Sequence, residues 1–594
     1  MKTIKNLNRM LLTVCLCLLS VVSAAGDTFQ EDRQYDLVVV TGAKLYALNG
    51  ADIHDLYLYA YTAGTDTWQI IPFQIDEKSY AVEPDKPSKK RWYYFVPEGS
   101  DISGHDGLLG DHDELAFPAR DAGDRAQTGK WIGNEASRQY ARLEIGLTDP
   151  LTGQKAYVYL YRSATINDPV PAPYQFTFNQ ETQVLDNKYY SIRLSMENGL
   201  IEDIIIHEPY GSDVDIFDTH KLRFGGVFEF GPFTIPIAQN GGNHATERDN
   251  LYLYTDADRN DPEKAVYYHY GYTQNPVVRL VREVKQTIRF GTYIMNDLGF
   301  FIATKFDPFG GEYAGGALLN SDSLKTLYDE DTYIQMDLLR QSFDFDEAAT
   351  GMHFYNPHNN GVLIDGVPDE VNTTVSIPIQ EWTMASGDQG TVFTYFSVAD
   401  TNWQSASLYY YDNSAGGQGD GTSVDGGDTG DGQSFGDQGI LVESHALNNV
   451  DLNIGFSAHF LPGNLAQADG TALSENIKHP IEINTSSAMY PTAVESDEEM
   501  SHPVSLILNQ NYPNPFNSST TLSFSTSAAG RVTVKIYSVH GSAVYQITDM
   551  YNAGTNQIRW DGRDVYGNVL PSGIYLYEVE MMHKIVKRKM LMIK

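Results

Sequence analysis

The chain has 594 residues, more than one hydrophobic core holds, so three or four units of roughly 100–200 residues are expected. Its 77 Asp and Glu outnumber 41 Lys and Arg, a formal charge of −36 that repels DNA, RNA and anionic lipid and argues against a nucleic-acid partner. Aromatic residues make up 12% and charged residues only 20%, and no long helical stripe or heptad is present, so the composition points to an all-β, multidomain protein built of β-sandwiches.

Residues 1–25 read as a secretory signal peptide. Lys2, Lys5 and Arg9 form a basic start, Met10 to Val22 an apolar core, and Val22-Ser23-Ala24 or Ser23-Ala24-Ala25 the small residues a signal peptidase needs. A lipoprotein reading of Leu12-Thr13-Val14-Cys15 is disfavoured, because the apolar core continues past the cysteine. Cys15 and Cys17 are the two cysteines of the chain. Once the signal is removed, no disulfide, thiolate metal site or cysteine nucleophile is left. No later apolar run reaches the ~18 residues of a membrane-spanning helix.

Residues 27–165 carry strand and hairpin patterning, as in "LYLYAYTAGTDTWQIIPFQI" and "AYVYLY". Pro169, Pro171 and Pro173 mark 166–174 as a Pro-rich linker to a larger sandwich over 175–485. Within that sandwich Asn198-Gly199 signals a hairpin. Further on, Val278, Leu280, Val284, Ile288 and Phe290 share one parity, and Arg279, Glu283, Lys285 and Arg289 the other, as in a long strand with one wet face. Residues 414–439 hold ten Gly and five Asp without Lys or Arg, too little apolar area to offset chain entropy. They read as an inserted surface loop, with a calcium loop as the alternative. A second linker is expected over 486–505.

Two stretches of the passenger are candidates for chemistry. "GSDISGHDGLLGDHDELAFPARDAGDRA" crowds Asp106, Asp111, Asp113, Glu114, Asp121 and Asp124 together. Asp106-Gly107 resembles the middle of a calcium loop, but Ile102 stands where the first ligand belongs. The readings are a calcium site at Asp106, Asp111, Asp113 and Glu114, or an acidic hairpin with salt links to Arg120 and Arg125. "YYHYGYTQNPVVRLVREVK" offers Tyr268, His269 and Tyr270 as bases, with Arg279 and Arg282 to neutralise a uronate, as a polysaccharide lyase requires. The alternative there is a cross-strand aromatic ladder with solvated arginines. His353 and His358, five apart, fit a metal or, more simply, turn chemistry. No H-E-x-x-H, G-x-S-x-G, phosphate-loop or dinucleotide motif occurs. With 77 acidic residues, a glycosidase carboxylate pair cannot be selected from the sequence.

From 506 to 594, short alternating runs are punctuated by Gly530, His540-Gly541, Gly554, Gly567-Asn568 and Gly573, as in a small Ig-like sandwich. "NQNYPNPFNSSTTLSFS", "RVTVKIYSVHGSAVY", "GTNQIRWDGRDVYGNVLPSGIYLYEVE" and "HKIVKRKMLMIK" together resemble the type A C-terminal sorting domain of type IX secretion cargo. The flagellar hook-capping Ig-like domain is similar in topology and shares the W-D-G-R-D-x-x-G turn. The resemblance covers some 15% of the chain. It implies passage through the periplasm, recognition by the type IX translocon and sorting machinery, and release or attachment at the outer surface. It places the sorting signal at Tyr512, Pro513, Asn514, Pro515, Phe516, Gly573, Tyr575, Lys587, Lys589 and Lys594. The alternatives are an Ig-like stability module and, for "HKIVKRKMLMIK", an edge strand protected by lysines. For the passenger, binding of extracellular glycan or another ligand leads. A polysaccharide lyase or glycoside hydrolase and a structural matrix protein are the alternatives, with calcium as the one cofactor suggested.

Overall fold

The computed structural model describes residues 28–83, 86–95, 106–194, 201–230, 233–236, 251–253, 267–290, 293–315, 333–415, 433–446, 454–491 and most of 506–593. The expected signal peptide, Asn198-Gly199, most of the Gly/Asp insertion, Pro515 and Lys594 lie outside the described residues. The fold is all-β, its strands antiparallel in every named pairing, and it divides into two compact units, Met1–Pro491 and Thr492–Lys594. Among the described residues no helix is long and apolar enough to cross a membrane.

The first unit opens with a sandwich. One sheet orders Leu37–Thr41, Glu114–Pro118 and Gln74–Asp76. The other orders Glu482–Ala488, Arg142–Thr148, Lys155–Arg162, Leu56–Thr62 and Thr67–Ile70. Leu143, Ile145, Leu147, Ala156, Val158 and Leu160 point inward against Val38, Val40, Leu115 and Phe117. The opposite parity is also covered: Tyr159 and Tyr161 pack with Tyr59, Tyr61, Trp68 and Trp131 in a second cluster. Burial on both faces explains why "AYVYLY" runs apolar instead of alternating.

The larger part of the unit holds a four-stranded sheet (Thr177–Asn179 to Ile201–Ile206), a five-stranded sheet and a ten-stranded sheet around one shared core. The five-stranded sheet orders Phe233–Pro236, Phe217–Phe230, Tyr333–Phe345, Ser434–His445 and Trp403–Asn413. The last two pair with each other, so the Gly/Asp insertion joins neighbouring strands. In the ten-stranded sheet Leu280–Phe290, Tyr293–Asp307, Gly310–Gly315, Ile454–Leu461 and Gly390–Val398 run side by side.

The expected break at 166–174 is not a boundary between compact units. Ile166 and Tyr174 are buried, Val170 packs on the first core, and the Tyr57 hydroxyl donates to the Ile166 carbonyl at 2.8 Å. The chain also comes back: after the helix Gln467–Lys478, Glu482–Ala488 pairs along the whole of Arg142–Thr148. Arg33, fully buried, fixes this return by donating to the carbonyls of Asn476 (3.2 Å) and His479 (3.0 Å) and to Asp149 (2.5 Å).

The second unit is a two-sheet sandwich of Leu506–Leu508, Thr520–Thr526 and Gly554–Trp560 against Ala543–Tyr551, Gly530–Ser538, Gly573–Met581 and Lys584–Met592. Every second residue turns inward, with Leu522, Phe524, Val532, Val534, Ile536, Trp560, Tyr577 and Val579 forming the core. Complete burial of such side chains contributes about 1.5–3 kcal/mol each.

Candidate functional site

In the second unit the Tyr512–Phe516 segment is zipped to the last strand. The Phe516 N–H donates to the Leu591 carbonyl at 3.0 Å, the Ile593 N–H donates to the Phe516 carbonyl at 2.9 Å, and the Leu591 N–H donates to Asn514 Oδ1 at 2.8 Å. Two prolines deny helix here and leave few backbone donors, so the turn depends on side chains. Asn511, buried, supplies them: its amide donates to the Pro513 carbonyl (3.1 Å) and to Thr520 Oγ1 (3.0 Å). Its N–H donates to the Tyr577 hydroxyl, which donates in turn to the Asn509 carbonyl. Arg588 Nε reaches the Leu508 carbonyl at 2.7 Å.

The ten residues singled out by the resemblance therefore separate. Phe516 and Tyr575 are core residues, each within 5.8 Å of the Trp560 ring, and the Tyr575 hydroxyl donates to the Pro571 carbonyl. Tyr512 is 82% exposed, and Pro513, Asn514, Lys587 and Lys589 are exposed in the same unit. Gly573 is half-buried at the head of its strand. Outward-facing Ile574 and Leu576 lie next to the final strand, where Leu576 is opposite Lys589 and Glu578 opposite Lys587. Lys587 Nζ approaches Glu578 at 2.6 Å.

In the first unit the arginines read as substrate clamps, or as solvated, are buried. Arg279 is 1% exposed; its Nε donates to Asp76 at 3.0 Å and its Nη2 to Glu114 at 2.9 Å. Lys78 also pairs with Glu114, and the Tyr94 hydroxyl donates to it at 2.7 Å. Burial alone would raise the Glu114 carboxyl, but Arg279 and Lys78 outweigh it and hold the pKa at about 2. Glu283 accepts from the N–H groups of Tyr94 and Phe95, and Gln74 donates to the Arg279 carbonyl. This polar joint fastens the first sheet to the start of Leu280–Phe290. Arg282 is buried as well, 3.4 Å from Gln183 Oε1. Tyr268, His269 and Tyr270 lie on a strand paired with residues 282–286; their side chains are outside the described residues.

The four carboxylates proposed for calcium have separate partners. Asp106 Oδ1 accepts from the Leu108 N–H, Asp111 Oδ1 from Asn49, Asp113 from the N–H groups of Gly110 and Lys78, and Glu114 belongs to the Arg279 joint. Among the described residues no group of three or more His, Cys, Asp or Glu is arranged to hold a metal. Of the two arginines expected to salt-link this stretch, Arg125 pairs with Glu144 at 3.0 Å and Arg120 stands over the Phe309 ring. His358 Nε2 is 2.8 Å from the Thr374 carbonyl, in a turn whose N–H groups Asn356 Oδ1 caps.

One cavity missed by sequence reading lies where the returning chain crosses the ten-stranded sheet. It measures about 570 Å³. Its lining combines the polar Lys305, Asp307, Ser457 and His459 with the apolar Leu37, Val39, Ile481 and Ile483. Lys305 makes no ion pair with a described residue. Burial pushes the His459 imidazole down to about 4 and the Asp36 carboxyl at the rim up to about 6, the latter against the pull of Arg33. These residues come from four separate segments, so no local motif announces them.

Residues 509–584 match the FlgD Ig-like domain family. No curated protein matches the chain. Among solved structures the chain is similar to dimeric latent PorU from Porphyromonas gingivalis, at 10% identity over 82% of this chain and 36% of that one, with a TM-score of 0.14. It is also similar to PorZ, a surface component of the type IX secretion system of the same organism, at 11% identity over 90% of this chain and 73% of PorZ, with a TM-score of 0.11. Native α2-macroglobulin of E. coli aligns at 9% identity over 90% of this chain and 35% of that one, with a TM-score of 0.12. The chain thus spans about a third of the length of PorU, and at such TM-scores these likenesses carry no argument.

Proposed function

We propose that the protein is cargo of type IX secretion, that its C-terminal unit is the export address, and that residues up to Pro491 bind an extracellular glycan or other ligand. The observation behind the export reading is the zipped Tyr512–Phe516 turn and final strand. It presents Tyr512, Lys587 and Lys589 on an otherwise ordinary sandwich. Charge supports it: residues 506–594 hold nine Lys and Arg against five Asp and Glu, in a chain of −36. A basic strand on an acidic protein is a distinctive electrostatic label. The match to an Ig-like family over 509–584 supports the topology the resemblance requires.

The test is a full-length variant lacking residues 585–594, expressed in a bacterium with the type IX machinery. Retention in the periplasm is the expected result, and undiminished appearance at the surface or in the medium refutes the reading. For the passenger, the cavity's mixed lining of polar and apolar side chains suits a ligand with hydroxyl or charged edges and an apolar face, as a sugar ring has. The lyase alternative draws no support from Arg279 and Arg282, which are engaged in buried contacts.

A further inference from the structure

A second group of buried charges belongs to neither site. Lys221, on Phe217–Phe230, is 3% exposed, and Asp344, on the adjacent strand Tyr333–Phe345, is fully buried. Lys221 pairs with Ser342 in the ladder and Thr219 with Asp344, so the two side chains are diagonal neighbours on one face. Their polar ends touch, with Nζ 2.5 Å from Asp344 Oδ2. Asp437, fully buried on the next strand, places Oδ2 3.7 Å from the same Nζ. That strand comes unusually close: a Cβ on Gly439 would lie 2.0 Å from the Gln341 carbonyl oxygen. Ser434 Oγ donates to Asp344 Oδ1 at 2.5 Å, while neither oxygen of Asp437 has a hydrogen-bond donor.

We propose that Lys221 and Asp344 condense into an intramolecular amide bond, with Asp437 relaying the protons. An amine, a carboxyl and a second carboxyl in contact in a dry interior are the groups this condensation needs. The lone pair of the neutral Lys221 amine attacks the Asp344 carboxyl carbon. Asp437 accepts a proton from nitrogen and returns one to the departing oxygen. A C–N bond forms, a C–O bond breaks and one water leaves, with no oxidant, reductant or cofactor. Ser434 is placed to steady the oxygen that remains as the amide carbonyl. Fixed contact makes the step effectively unimolecular, and exclusion of water disfavours the reverse hydrolysis. Burial, opposed by Lys221, holds the Asp344 carboxyl well above the ordinary carboxylate range, the protonated form a nucleophile can attack. The bond would tie two strands that flank a long intervening segment, a cross-link available to an exported chain whose expected mature form lacks cysteine.

Intact mass spectrometry of the denatured full-length protein decides the matter. The expected mass is one water below that calculated from the sequence. Proteolysis should release a branched peptide joining the segments of Lys221 and Asp344. Full calculated mass and no branched peptide in the unmodified sequence overturn the proposal, and no variant has to fold for that result. Lys221→Met and Asp344→Ala should restore the full mass. Asp437→Asn keeps both bonding partners and should accumulate the full-mass form; a complete water loss in that variant overturns the relay role.

Discussion

Replacing Arg279 by Met removes a cation that touches both Asp76 and Glu114. Met keeps most of the volume, so the loss is electrostatic. Both carboxylates lie below 10% exposure, and among the described residues Glu114 keeps Lys78 and Tyr94 whereas Asp76 keeps the Gln74 amide. Removing one partner of a buried pair costs roughly 3–5 kcal/mol. At ~1–2 °C per kcal/mol for a unit this long, the thermal midpoint of the first unit should fall by about 5 °C. Adding Asp76→Asn should recover part of the loss, because no unpaired charge is then left at that position. The pH dependence has a defined sign. Glu114 is depressed to about 2, so its contribution is complete above its unfolded value of ~4.3 and is lost as the pH falls toward 2. The gap between the parent protein and Arg279→Met should therefore narrow below about pH 4.5. Calorimetry between pH 7 and 3 provides the measurement. A fall under 1 °C at pH 7, or a gap that does not change with pH, refutes the reasoning.

Phe516→Ala should destabilise the second unit by about 3–5 kcal/mol, read by denaturant unfolding, because Phe516 is 2% exposed against Trp560 and its backbone holds the final strand. Lys589→Ala should change that stability by no more than about 0.5 kcal/mol, since its side chain is exposed, yet should lower export; equal export would confine Lys589 to edge protection. His220, stacked on Phe343 and lowered to about 3 by burial, and His459, lowered to about 4, favour the neutral ring in the fold. Their contribution is complete above ~6.5 and is lost as the pH falls through that value toward 4 and 3. Asp36, raised to about 6, acts with the opposite sign over pH 6 to 4. His220→Phe with His459→Gln should flatten the loss of thermal midpoint on acidification, and an unaltered profile contradicts the assignment.

The features legible in the sequence are the local ones. Alternation marked the strands of the second unit, and the Pro513 and Asn514 turn sits at the head of its sandwich as its residues suggest. The parity of Arg279 and Glu283 was legible too, but not its meaning. A charged parity reads as a wet face, whereas here the first sheet covers it and supplies Asp76 and Glu114 as partners. Glu114 and Arg279 are 165 residues apart, and no spacing rule connects them. The same limit hid the return of Glu482–Ala488 to the first sheet, the cavity around Lys305 and His459, and the contact of Lys221, Asp344 and Asp437 on three strands. The acidic stretch shows the same limit: Asp106, Asp111, Asp113 and Glu114 lie close in sequence, but turns and long-range pairs give each its own partners.

The most direct test of the export address joins residues 492–594 to a cysteine-free reporter that carries its own signal peptide, in a bacterium with the type IX machinery. Appearance of the reporter at the surface or in the medium, lost when the machinery is deleted, is the expected result. A reporter that stays in the periplasm while the second unit is folded would contradict it.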